Sequence, residues 1–149
     1  MLLFGTEFPP SAAGTAIYAR SLALGLSAQG VDVHVLTMAP DATSPEDADQ
    51  PFRVTRLPPT GNVARRYARC LGALRRDLQR LQPDCLWTTN GMGTRVAGLL
   101  SQVSCPLITC ARGSDIRTRL PGRGPWRRLE SLPLRRAYRR SAAVAAACQ

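Results

Sequence analysis

Short apolar runs alternate with segments of helical period along almost the whole chain, in units of about thirty residues, and that rhythm leaves few folds open. Leu2 to Thr6 reads as a buried strand, Gly14 to Ala28 as a helix stopped by Gly30, and Val31 to Thr37 as a second strand. Parallel neighbours in a sheet need a crossover of this kind, so the run predicts a βαβ unit.

The rhythm continues downstream. Phe52 to Leu57 is a third strand, closed by Pro58, Pro59 and Gly61. Asn62 caps a helix to Leu81 in which Val63, Tyr67, Cys70, Leu71, Leu74, Leu78 and Leu81 keep a 3.6-residue spacing, with Arg65, Arg66, Arg69, Arg76 and Arg80 on the other side. After Pro83 come a strand from Cys85 to Thr89, a small-residue helix from Met92 to Gln102 and a strand from Leu107 to Ala111. Met38 to Gln50 has no periodicity and reads as an exposed loop. The region after Pro125 reads as helix broken at Pro133, and Ala142 to Ala147 as a last strand of weak β preference. The sum is an α/β, Rossmann-like three-layer sandwich with a mostly parallel sheet, one domain over residues 1–149.

All twenty basic residues are arginine, and they are unevenly placed: three against six acids over residues 1–60, then seventeen against four over 61–149. Such a field suits a phosphorylated substrate, an anionic membrane or nucleic acid, and does not choose among them. The five cysteines include no C-x-x-C pair and His34 is the single histidine, so no metal site is expected. No apolar run approaches the roughly 18 to 20 residues that span a bilayer. The opening Met1 to Gly5 lacks a basic leader, and the reading is a cytoplasmic protein, peripheral at most on the inner face of the membrane.

Two turns stand out. Pro9-Pro10-Ser11-Ala12-Ala13-Gly14 follows the first strand, and Ala111-Arg112-Gly113-Ser114-Asp115 follows a later one. Both fall at the carboxyl edge of a parallel sheet, where open α/β folds bind ligands, and a glycine there lets backbone N–H groups approach a phosphate or sugar.

The order of motifs resembles the N-terminal domain of family 4, GT-B-fold glycosyltransferases, which build glycolipids, capsules and other polysaccharides. It is carried by Phe8-Pro9-Pro10, Ala13-Gly14, Tyr18, Gly30-Val31-Asp32-Val33, Pro83-Asp84-Cys85-Leu86, and the strand from Pro106 into Arg112-Gly113-Ser114-Asp115. The resemblance implies one lobe of a retaining, hexosyltransferase-type enzyme that takes a nucleotide-sugar as co-substrate, with no cofactor and no metal. It puts Ala13 and Gly14 beneath the donor diphosphate and the acceptor, and Asn90 and Gly91 beside the acceptor pocket. Ala13 replaces the family's second turn glycine. Arg112 stands where many members carry a histidine near the transferring sugar. Arginine does not shuttle protons at neutral pH, so Arg112 is assigned a binding role, beside Gly113, through paired hydrogen bonds to a phosphate or acidic acceptor. Asp115 either accepts a hydrogen bond from an acceptor hydroxyl or caps the segment after it.

Members of that family hold the nucleotide in a C-terminal lobe with two glutamates eight positions apart, a spacing that Glu7, Glu46 and Glu130 do not supply. The expected partners are therefore that donor-binding lobe, on the same or a separate chain, and an acceptor glycan or glycolipid. The chain alone is expected to be nearly inert, since the leaving group needs a phosphate clamp. Arg65, Arg69, Arg76 and Arg80 are candidates to face an anionic membrane. Two other classes fit parts of the pattern. Gly91-Met92-Gly93-Thr94-Arg95-Val96 has some of a dinucleotide fingerprint, with Arg112 to meet a 2′-phosphate in an NADP-binding domain, and the basic half suits a nucleic-acid module. The third small position of the first is Val96, and the second has few aromatics for stacking.

Overall fold

The computed structural model describes residues 1–39, 44–111 and 125–146, the side chains of 125–130 excepted. In chain order these form β1 (Leu2–Phe4), α1 (Gly14–Ala28), β2 (His34–Met38), α2 (Pro45–Ala48), β3 (Arg53–Leu57), α3 (Val63–Leu81), β4 (Leu86–Thr88), α4 (Gly91–Leu99), β5 (Leu107–Ala111), α5 (Pro125–Arg140) and β6 (Ala143–Ala146). The six strands make one sheet in the order β3, β2, β1, β4, β5, β6, with every neighbouring pair parallel. The chain leaves β1 toward β2 on one side and later returns to β4 on the other, which creates a switch point between β1 and β4.

Period-two alternation divides the core into two layers. Leu2, Phe4, Leu36, Met38 and Leu86 face α3 and α4 and meet Cys70, Leu74, Leu78, Val96 and Ala97. Leu3, Val33 and Val35 face the other way, onto Ala19 and Ala23 of α1. Buried on both faces, the strands need no polar side: β1 reads as an apolar run, and β2 is buried throughout although it includes His34 and Thr37.

Helix ends follow local chemistry. Asn62 Oδ1 accepts the Arg65 N–H at 2.9 Å and starts α3, while Gly30, at φ +80°, takes the chain out of α1 as the sequence predicts. The stretch read as a loop holds a one-turn helix instead. Ser44 and Asp47 carry the capping-box pattern around Pro45, with the Asp47 carboxylate accepting the Ser44 N–H at 3.1 Å, a local signal with no hydrophobic periodicity to announce it. The predicted break at Pro133 is also absent, for α5 runs through it. Close contact with α4 explains this: a Cβ on Gly98 would overlap the Pro133 carbonyl, so the two backbones touch and packing holds the helix together. The alanine-rich β6 is a true strand, pinned by Thr109 Oγ1 to Ser141 Oγ at 2.9 Å and by the Ala142 N–H to the Leu107 carbonyl at 2.8 Å.

Gly98→Ala should therefore cost about 1 to 3 kcal/mol through overpacking, although alanine favours helix. Urea unfolding of the two proteins checks it, and an unchanged midpoint would contradict the close α4–α5 contact.

Candidate functional site

The carboxyl edge at the switch point is assembled by two turns that lean on each other. Gly5 closes β1, and a Cβ there would overlap the Thr89 hydroxyl; one on Gly93 would lie 2.9 Å from the Phe4 carbonyl oxygen. With no side chains in the way, the Thr89 N–H reaches the Phe4 carbonyl at 2.9 Å. Asn90 spans the seam. Its Oδ1 accepts the Gly93 N–H at 2.9 Å and its Nδ2 donates to Thr6 Oγ1 at 2.8 Å, so one buried amide caps α4 and ties it to the β1–α1 loop. Thr94 adds a hydrogen bond to the Asn90 carbonyl at 3.1 Å.

The start of α1, on the same rim, is different. Ala13 precedes it in ordinary extended geometry, at φ −64° and ψ 139°, and no side chain caps it. The N–H groups of Ala16 and Ile17 both return to the Ala13 carbonyl, at 2.8 and 3.1 Å. Among the described residues, the N–H groups of Gly14 and Thr15 have no acceptor. Space above Gly14 is open: a Cβ there would meet nothing within 4 Å. An uncapped helix start carries the positive end of the helix dipole and donors that a polar group from outside could satisfy.

The predicted site residues thus divide. Ala13, Gly14, Asn90 and Gly91 lie on adjoining turns of the β1 and β4 edge, but only Ala13 and Gly14 present an open surface. Asn90 is engaged by Gly93 and Thr6, and Gly91 is buried in the first turn of α4. That engagement also leaves the Gly91-to-Val96 fingerprint with a helix end whose Gly93 donor is already used. Arg112, Gly113 and Asp115 lie outside the described residues. On α3, Arg69 donates to the Pro58 and Thr60 carbonyls, Arg80 pairs with Asp77 at 3.5 Å, and Arg65 and Arg76 are exposed.

One participant is invisible in the sequence. Arg56, whose side chain is 1 % exposed, sends Nε and Nη2 to the Asp47 carboxylate at 2.6 and 2.7 Å and a further hydrogen bond to the Pro9 carbonyl. Its guanidinium also lies 5.9 Å from the Phe8 ring centroid. This clamp fixes the loop that delivers the chain to Gly14. Its only signal in the sequence is the Ser44-x-x-Asp47 capping pattern, and nothing local links that to Pro9. His34 stands at the opposite, amino edge of the sheet, with Nε2 2.8 Å from Thr55 Oγ1. Burial lowers its pKa below the ordinary 6.5, against the pull of Asp77, so it is a neutral packing residue remote from the rim.

An all-parallel sheet in this strand order, with a switch point between β1 and β4 and an open helix start beside it, defines a Rossmann-like α/β domain. The family model described as Glycosyltransferase Family 4 matches residues 12–149, and the chain belongs to that family. No curated protein gives a significant match.

The Arg56 clamp predicts an acid limb in stability. Hydrogen bonding to Arg56 holds the Asp47 carboxyl below its ordinary 3.8, so its contribution is complete above that value and is lost as pH falls through the folded pKa. Asp47→Asn should cost about 3 kcal/mol, the low end for breaking a buried pair, because Asp47 keeps some contact with solvent. Its unfolding midpoint should also lose the Asp47 share of the decline that the parent shows as pH is lowered below the ordinary 3.8. Parallel midpoints across that range would contradict the assignment.

Proposed function

We propose that this chain is the acceptor-side lobe of a retaining glycosyltransferase of the hexosyltransferase type, moving a sugar from a nucleotide-sugar to a lipid-linked or polysaccharide acceptor. The observation that carries the reading is the start of α1, where two unspent N–H groups and open space lie at the carboxyl edge of the sheet beside its switch point. In retaining transfer the bond from sugar to diphosphate breaks and negative charge gathers on the leaving phosphate. Preorganised donors aimed at that charge lower the barrier. Gly14 and Thr15 supply such donors here, and the clamp of Arg56 on Pro9 holds their loop in place.

The remaining roles follow from position. Arg112 and Gly113 bind phosphate or an acidic acceptor group after β5, and Asp115 accepts from an acceptor hydroxyl. Ile17, one turn into α1 and 57 % exposed, offers an apolar surface beside the phosphate position, which suits an acceptor that is part lipid. A second lobe holds the nucleotide, no metal takes part, and the protein works in the cytoplasm. Among the described residues no helix is long and apolar enough to cross a membrane.

Two measurements test the reading. Mixing the chain with candidate donor-binding lobes and assaying sugar transfer to lipid extracts should give activity above either half alone; no gain with any lobe counts against it. Gly14→Asp adds a carboxylate where the phosphate would sit and clashes with nothing. It should keep or raise stability by about 0.5 kcal/mol through the helix dipole. Transfer by the reconstituted enzyme should fall by at least about tenfold. Unchanged transfer by this variant removes α1 from the phosphate site.

A further inference from the structure

Thirteen of the seventeen arginines in residues 61–149 belong to helices on one side of the sandwich. Helices α3, α4 and α5 form a single layer over one face of the sheet, joined through the core of Cys70, Leu74, Val96, Ala97 and Ala137. These three helices contain thirteen arginines and two acids, whereas α1, on the opposite face, contains only Arg20. Among the described helices, charge is therefore polarised normal to the sheet.

Within this layer the seam between α4 and α5 is distinctive. Leu132, Arg135, Arg136, Arg139 and Arg140 are all exposed and follow one another at helical spacing, which puts them on one outward stripe of α5. Leu132 is 55 % exposed and Leu99, at the end of α4, is 40 % exposed. The close seating of Pro133 on Gly98 holds the two leucines on the same groove, about 760 Å³ in volume, with arginines along its α5 wall. Arg140 and Arg136 donate to the Leu100 and Ser101 carbonyls, at 3.0 and 3.3 Å. A neutral carbonyl orients a guanidinium without cancelling its charge.

We infer that this α4–α5 groove docks the domain on an anionic phospholipid bilayer, with Leu99 and Leu132 entering the headgroup layer and the α5 arginines on lipid phosphates. Apolar side chains beside basic ones match an interface that is charged outside and oily beneath. A second copy would bring arginine against arginine. Nucleic acid would use the charge but has little use for two exposed leucines where stacking aromatics are needed. The inference is independent of the transfer reading, since vesicle binding requires neither donor nor acceptor.

Flotation of the full chain with phosphatidylcholine vesicles, with and without about 30 mol % phosphatidylglycerol, reads this directly. Binding should need the anionic lipid and weaken as salt is raised. The exposed pair Arg136→Glu with Arg139→Glu should lower affinity by more than about tenfold. Leu99→Ser with Leu132→Ser should lower it about fivefold while its salt dependence persists. Arg65→Glu with Arg76→Glu, on α3, should matter far less; urea midpoints confirm that each variant folds. Equal binding to neutral vesicles, equal loss from the α3 and α5 pairs, no effect of the leucine pair, or binding to single-stranded RNA that anionic vesicles fail to displace would each overturn the docking site.

Discussion

The contact between the turn after β4 and the end of β1 is the constraint on which the rest of this domain depends. Gly93 lets the start of α4 approach the backbone at the end of β1, Gly5 leaves room for the Thr89 hydroxyl, and the Thr89 N–H completes a hydrogen bond to Phe4 across the gap. Strand β4 can pair with β1 in register only if its following turn clears β1, so the parallel pairing of Leu2 with Leu86 and Phe4 with Thr88 presupposes these glycines. That pairing places α3 and α4 on one face and leaves α1 on the other. The switch point and the placing of the basic helical layer both follow from this one join.

The two helix starts at that edge have the same polarity but different fates. At α4 the Asn90 side chain takes up an N–H and anchors to Thr6, which neutralises part of the demand for an external acceptor. At α1 the preceding residue is alanine, which has no polar atom to fold back. A good capping residue at position 13 would add roughly 1 kcal/mol to the helix. Its absence leaves donors for a ligand, at a place where the Arg56 clamp already supplies the rigidity that a cap would otherwise give.

Much of this was legible before the structure, and the exceptions share a cause. Helix α3 announced itself through its period and through Asn62, and α1 and β5 match their predicted bounds, because each signal is local in the chain. The short α2 was hidden by the lack of an apolar face; its capping box joins Ser44 to Asp47, but what makes it matter is Arg56, nine residues on from Asp47. Pro133 pointed to a break because its ring removes a backbone donor, and only the approach of Gly98, thirty-five positions earlier, reveals why the helix continues. Of the site, the positions of Ala13 and Gly14 could be read from the sequence. The engagement of Asn90 could not, since Thr6 lies 84 residues away.

The polarity of the sandwich then bears on how a lobe of this kind would meet its substrates. The open start of α1 lies at the carboxyl edge of the sheet, whereas the arginine-bearing helices cover one face of it, so the two surfaces meet at an angle. A bilayer held against α4 and α5 would leave that edge facing along the membrane surface. An acceptor whose sugar projects from the headgroup layer would thereby arrive at the rim sideways, within the plane to which the protein is confined, and the search for it would run in two dimensions while the soluble donor arrives from the third.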